Sequence, residues 1–281
     1  MIKIGVYNTL KIDRETSVGL YLTDNSGSDV LLPNKYCPDN YEIGQELKVF
    51  VYLDHYERKI ATTLDPKIQL YHFGFLKVNA VSNVGAFMDW GLEKDLLVPF
   101  SEQRQEMEED RWYLVYMDLD EQTGRLYASN RLNRFIQNDM LTVSEGDEVD
   151  MIVMQKTDVG YNVIVNEAHR GLVYDNEIFS PLRVGQRGRG YIKKVREDNK
   201  LDISLQPTGY SQSNDKNVTK LVEYMQANEG VIQLTDKSAP ELIYETLGIS
   251  KKSFKKAVGA LYKQRMIQLE KDHIKWTGSK K

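Results

Sequence analysis

Cysteine occurs once in this 281-residue chain, at Cys37, so no internal disulfide can form and no set of thiolates can hold zinc or iron. Histidine is nearly as scarce. His55, His72, His169 and His273 stand singly, which suits surface or packing roles better than metal ligation. The motifs G-x-x-x-x-G-K-[ST], H-E-x-x-H and G-x-S-x-G are missing, and with them the usual signs of phosphate loops, zinc hydrolases and nucleophile elbows. The acidic run Glu102 to Asp110 lacks the Gly and the alternating spacing of a calcium loop, so a solvated face is its expected role. No apolar run approaches the roughly 18 residues needed to cross a bilayer, and the opening Met1-Ile2-Lys3-Ile4-Gly5 leads straight into strand-like alternation instead of a leader. A reducing, cytoplasmic setting with no membrane contact, no metal, no cofactor and no catalysis is the expectation.

What is present is an ordinary globular composition, 41% hydrophobic and 28% charged, with 17 Tyr and 8 Phe. A net charge of -4 argues against an indiscriminate binder of polyanions. The average conceals a gradient. Residues 1–144 carry 15 Lys or Arg against 22 Asp or Glu, whereas residues 145–281 carry 22 against 19. Two stretches make the excess: Arg183 to Lys200, with seven basic and two acidic residues, and Ser250 to Lys281, with ten and two. A polyanion should meet the C-terminal half first.

A repeat becomes visible when Gly19, Gly85 and Gly160 are aligned. Each opens a short alternating run, Gly19-Leu20-Tyr21-Leu22, Gly85-Ala86-Phe87-Met88 and Gly160-Tyr161-Asn162-Val163. Fourteen residues on lies the end of a second apolar run, at Pro33, Pro99 and Tyr174; forty-four residues on lies a small hydroxyl residue, Thr63, Ser129 and Ser204. Between them, Val49 to Asp54, Leu114 to Asp120 and Arg189 to Val195 read as strands entering polar hairpin tips. Units of about 60 to 70 residues suit small five-stranded barrels and are too short for sandwiches. The predicted fold is mainly β with a C-terminal α+β domain: barrels over 1–66, 67–137 and 138–208, a linker over 209–216, and a winged helix over 217–281.

The last domain follows from helical spacing. Val218 to Asn228 is a predicted helix stopped by Gly230, and Val231 to Leu234 a short strand. Ala239 to Leu247 reads as a second helix with Ser238 as N-cap, Pro240 in its first turn and Gly248 beyond its end. A third begins after Ser250 and runs to about Arg265, with Phe254, Val258 and Leu261 facing a core and Lys252, Lys256, Gly259 and Lys263 opposite. Ile267 to Trp276 forms a hairpin. Lys255 joins the candidate lysines of the third helix, whose alternative is a merely solvated face.

Val84-Gly85-Ala86-Phe87-Met88-Asp89, Asp95-Leu96-Leu97-Val98-Pro99-Phe100-Ser101 and Asp120-Glu121-Gln122-Thr123-Gly124-Arg125-Leu126-Tyr127-Ala128-Ser129 together resemble an S1 RNA-binding domain of the OB-fold class. Three such units followed by a winged helix are similar to the bacterial conserved virulence factor B family. The S1 pattern usually has an aromatic before the Gly and a His after the second apolar run; here Val18, Val84 and Val159, then Pro33, Pro99 and Tyr174, hold those places. The resemblance implies RNA binding, with Tyr21, Phe87 and Tyr161 as ring candidates near the binding strand and Arg125 matching the hairpin Arg. Lys59 and Lys200 take that hairpin position in the other units. Barrel core is the competing role for each ring, and Tyr161 is one residue out of phase. In the third unit Arg183, Arg187, Arg189, Lys193, Lys194 and Arg196 are candidate phosphate contacts; alternation puts Arg189, Tyr191 and Lys193 on one face and Lys194 and Arg196 on the other.

Three readings remain open from the residues. One is a binder of single-stranded RNA acting after transcription, with ribosomal or RNA-processing partners and, by the family resemblance, a link to virulence gene expression. Another is a DNA-binding regulator whose third C-terminal helix enters a major groove. The last is a protein-interaction scaffold whose barrels have lost their ligands.

Overall fold

The computed structural model describes residues 1–178, 181–206, 216–263 and 266–277. They fall into two compact units, Met1–Ile203 and Ser204–Lys281. The predicted linker over 209–216 lies almost wholly outside the described residues.

In the first unit, apolar alternation yields three groups of five strands. The first group is β1 (Val6–Thr16), β2 (Gly19–Thr23), β3 (Asp29–Pro33), β4 (Glu46–Leu53) and β5 (Lys59–Thr62), closed in the order β1-β2-β3-β5-β4. The third group, β11 (Glu148–Thr157), β12 (Gly160–Val165), β13 (His169–Tyr174), β14 (Arg187–Val195) and β15 (Leu201–Ser204), closes in the same way. Between them lie β6 (Phe73–Val81), β7 (Gly85–Asp89), β8 (Leu96–Pro99), β9 (Trp112–Leu119) and β10 (Leu126–Ser129), in the order β10-β9-β6-β7-β8. The middle group is thus a nearly closed five-stranded barrel in the same cyclic order, with β8 and β10 side by side but not joined by a ladder.

The anchor glycines have a steric cause. Gly19, Gly85 and Gly160 pair across the sheet with Pro33, Pro99 and Tyr174. A Cβ on them would lie 2.1, 2.2 and 2.0 Å from the carbonyl oxygens of Leu32, Val98 and Val173, and their φ angles are 147°, 148° and 157°. Only glycine fits. The first strand of each group also shifts register at one template position, between Ile12 and Arg14, Val78 and Ala80, and Val153 and Gln155.

The last-strand hydroxyls differ from expectation in one place. Ser129 and Ser204 end β10 and β15 as buried residues whose hydroxyls accept the N–H groups of Arg131 and Gln206. The equivalent in the first group is Thr62, which accepts the Leu64 N–H at 3.0 Å; the fixed offset of forty-four pointed to Thr63, one residue too far.

Several strands are apolar on both faces. In β4, Val49 and Val51 fill the first barrel while Phe50 and Tyr52 point outward against Trp90, Ile68 and Leu70 of the middle group. Phe50 and Trp90 meet edge to face at 5.8 Å, and Tyr52 and Trp90 at 6.0 Å. In β6 and β9, Phe73, Leu114 and Tyr116 likewise face outward and pack on Ile152, Met154 and Ile164 of the third barrel. The three groups thus share cores through their outer walls.

The second unit has its own core, centred on Leu221, Met225, Ile243, Phe254 and Leu261. Its elements are α1 (Lys216–Ala227), β16 (Val231–Ile232), α2 (Pro240–Leu247), α3 (Lys251–Lys263), β17 (Ile267–Leu269) and β18 (Ile274–Trp276), with the sheet ordered β16-β18-β17. This is a winged helix. Gly248 closes α2 in the left-handed region at φ 64°, and Ser250 accepts the Ser253 N–H at the start of α3, both as expected. Ser238 does not cap α2. Ala239 holds the cap position, and the Ser238 hydroxyl turns back to accept the Thr235 N–H at 2.8 Å. The expected end of α3 near Arg265 falls outside the described residues.

Candidate nucleic-acid interface

On the third barrel, β12, β13 and β15 frame a cleft of about 590 Å³ lined by Asn162, Leu172, Arg170, Arg196 and Lys200 among others. Of these, Arg196 is held against Tyr174, its guanidinium 5.8 Å from the ring and donating to the hydroxyl. Arg196 also pairs with Asp202 at 2.9 Å, and Lys200 with Asp198 at 2.6 Å. Hydrogen bonding to Asp202 raises the Arg196 pKa, so its charge is fixed.

The remaining basic residues of this stretch do not join that cleft. Gly190 and Ile192 point into the barrel and Arg189, Tyr191 and Lys193 out of it, as alternation predicts. Lys194 has inward parity but is exposed near the end of β14, and Arg196 curls onto Tyr174. Arg187 and Arg189 border a separate hollow together with Asp150 and Glu167. Arg189 pairs with Asp150 at 3.1 Å, and Lys193 pairs with Glu177.

Arg187 has a structural employment that spacing gave no hint of. Its guanidinium bonds Glu167 at 2.7 Å and the Phe73 carbonyl, while the other Glu167 oxygen accepts the Phe73 N–H at 2.7 Å. Both backbone groups of Phe73 are thereby held by the third barrel. Arg183 and Lys194 enter no ion pair among the described residues.

The ring candidates stand at different distances from a free stacking surface. Tyr21 is half-buried with the Arg14 guanidinium 4.1 Å above its ring, and Arg14 pairs in turn with Asp13 and Asp29. Phe87 is half-buried in a small hollow with Trp90 and Arg125, where Arg125 reaches Glu57 of the first barrel at 2.5 Å. Tyr161 occupies the inward-parity position held by Leu20 and Ala86 in the other units, yet remains half-buried, with the Lys156 ammonium 4.6 Å from its ring. Asn162 takes the position of Tyr21 and Phe87. Lys59 donates to the Ile2 carbonyl at 3.3 Å.

On the winged helix, Phe254, Ala257, Val258 and Leu261 bury one side of α3. Lys252, Lys255, Lys256 and Lys263 are exposed on the other and enter no ion pair among the described residues. Arg187, Arg189, Lys193, Arg196 and Lys200 of the third barrel, by contrast, each hold a carboxylate.

Among the described residues no group of three or more His, Cys, Asp or Glu could hold a metal ion, and no helix is long and apolar enough to cross a membrane.

Tandem S1-type barrels followed by a winged helix define a class of nucleic-acid-binding domain protein. An S1 domain model matches residues 4–64, and a CvfB-like winged helix domain model matches residues 219–275. Protein YitL of Bacillus subtilis (strain 168), described as uncharacterized, is 30% identical over 286 residues, spanning 99% of this chain and 94% of the relative. Conserved virulence factor B of Staphylococcus epidermidis (strain ATCC 12228) is 27% identical over 250 residues, 85% of this chain and 82% of that one. The chain belongs to the conserved virulence factor B family. A solved Streptococcus pneumoniae structure, described as a multidomain protein with nucleic acid binding domains, covers 97% of this chain and 98% of its own at 23% identity and a TM-score of 0.42.

Proposed function

We propose that the chain is a non-catalytic cytoplasmic protein that binds single-stranded RNA through the third barrel and the winged helix, and regulates gene expression after transcription. The observation that carries this reading is the third-barrel cleft: an amide at the template ring position, with arginines and a lysine lining it and Arg196 held against the Tyr174 ring. Unpaired bases need planar and amide groups to read their edges, with cations beside them for phosphates. The virulence link, and contact with ribosomal or RNA-processing proteins, belong to the same reading and rest on the relatives' name and the S1 domain type.

One observation favours a second reading. The unpaired lysine face of α3 lies on the second helix of an α2-turn-α3 pair, the element that enters a major groove in many DNA regulators. Fluorescence-anisotropy titration of the full chain against single-stranded RNA, single-stranded DNA and duplex DNA, across salt, separates the two. Tightest binding to RNA, weakened by combined Arg196→Ala and Lys200→Ala, supports the first; preference for duplex DNA supports the second. Absence of any binding would leave the scaffold reading. Replacing Lys252, Lys255, Lys256 and Lys263 by Ala should flatten the log-log salt slope by about 0.7 for each lysine that contacts a single strand.

A further inference from the structure

Trp112 breaks the rule that a half-exposed indole on a solvent wall is an unusual expense. It stands at the start of β9 on the outward face, 50% exposed. Its inner face lies on Phe75 of β6, with ring centroids 5.5 Å apart and planes inclined by 26°. Phe75 is backed in turn by Gly185, where an added Cβ would fall 2.2 Å from the ring. The stack is therefore pinned from behind by the third barrel, and the pinned ring system leaves Trp112 half open to solvent.

That open side belongs to a cleft of about 610 Å³ between the middle group and the third barrel, reaching Met154, Gln155 and Val184. Arg104, Arg131 and Arg134 line it, and no carboxylate does among the described residues. Four other clefts, including the one on the third barrel, each present two carboxylates. Arg134 donates from Nη1 to both carboxylate oxygens of Glu102, at 2.8 and 2.9 Å, but Arg104 and Arg131 are exposed and enter no ion pair among the described residues. In a chain of net charge -4, whose first 144 residues are acidic, an acid-free pocket holding three arginines and a backed indole is a selective combination.

We propose that this cleft is a second nucleic-acid subsite, in which an unpaired base stacks on Trp112 while Arg104 and Arg131 take the flanking phosphates. It lies on the β6–β9 wall, away from the β7–β8 pair that carries Phe87, and so differs from the surface inferred from the S1 pattern. A flat π face backed by a second ring accepts any base, and unpaired guanidinium groups supply the charge that a base alone lacks. A duplex offers no free base face, which selects a single strand. The inference rests on the proposed binding of single-stranded RNA and locates a further contact for it.

The test uses the full chain and a short oligouridylate, read by anisotropy of a labelled strand and by quenching of tryptophan emission with an unlabelled one. Trp112 is the most exposed tryptophan of the described three; Trp90 is 3% exposed and Trp276 half-buried. Stacking on Trp112 should quench emission in the wild type, and Trp112→Phe should lose that quenching while retaining most of the affinity. Trp112→Ala should lower affinity roughly 5- to 150-fold, the effect of losing one stacked base. The double variant Arg104→Ala/Arg131→Ala, on exposed side chains outside the core, should also weaken binding and carries the test if Trp112→Ala does not fold. Wild-type binding with unchanged affinity in Trp112→Ala and in Arg104→Ala/Arg131→Ala, or quenching that persists in Trp112→Phe, overturns the subsite alone. No binding by the wild type overturns both the subsite and the RNA reading beneath it.

Discussion

Gly19, Gly85 and Gly160 show what a single position can declare. Each was found as a recurring letter at the head of an alternating run, and each proves to sit where a Cβ would strike a carbonyl oxygen of the neighbouring strand. We expect Gly85→Ala to cost roughly 2–4 kcal/mol, because both the φ of 148° and the 2.2 Å approach oppose it; urea unfolding measures this, and an unchanged midpoint would contradict the steric account. Other residues kept their roles hidden. Arg187 resembled its basic neighbours in sequence, and only the fold brings Glu167 and the Phe73 backbone to it. Arg187→Ala should loosen the contact between the middle group and the third barrel by roughly 1.5–3 kcal/mol, the range for a hydrogen bond to a charged group. Hydrogen exchange of the β6 and β11 amides, faster in the variant and unchanged elsewhere, is the check. Partners distant by 20 or more residues leave no trace in spacing.

At the level of elements, the winged-helix order and the buried stripe of α3 were readable because one face of a helix repeats every three to four residues. Ser238 does not cap α2 because its hydroxyl accepts the Thr235 N–H of the preceding turn, a competing partner that helical spacing does not reveal. The junctions were missed although a signal existed: Val49-Phe50-Val51-Tyr52 and Met151-Ile152-Val153-Met154 are apolar on both faces, which an isolated barrel with one wet wall does not need. Phe75 and Trp112 carry the same signal. Burial at these walls pushes the Tyr7 and Tyr116 hydroxyls up to about 12, with the Asp65 hydrogen bond adding to the effect on Tyr7. A folded-state pKa above the ordinary 10 gives stability that is full below pH 10 and lost as pH rises through 12. The unfolding midpoint should therefore fall between pH 10 and 12, less steeply in Tyr7→Phe, as measured by urea titration across pH. An identical pH profile in the variant would remove Tyr7 as the cause.

Across the whole molecule, the shared cores make the barrels of Met1–Ile203 interdependent. Phe50 and Tyr52 belong to one barrel by sequence and to the next by packing. Residues 1–206 produced alone should consequently unfold in one cooperative calorimetric transition, and three separable transitions would show that the walls contribute little. The charge gradient along the sequence is real, and the lysines of α3 leave it open, but on the third barrel most of it is already neutralised. In the third barrel Arg187, Arg189, Lys193, Arg196 and Lys200 each hold a carboxylate already. Those carboxylates act as tethered counterions. A phosphate arriving there displaces a group that cannot diffuse away, so little mobile salt is released, and the salt slope of binding counts fewer contacts than the strand makes. Discrimination against ligands that offer charge and nothing else follows from the same arrangement.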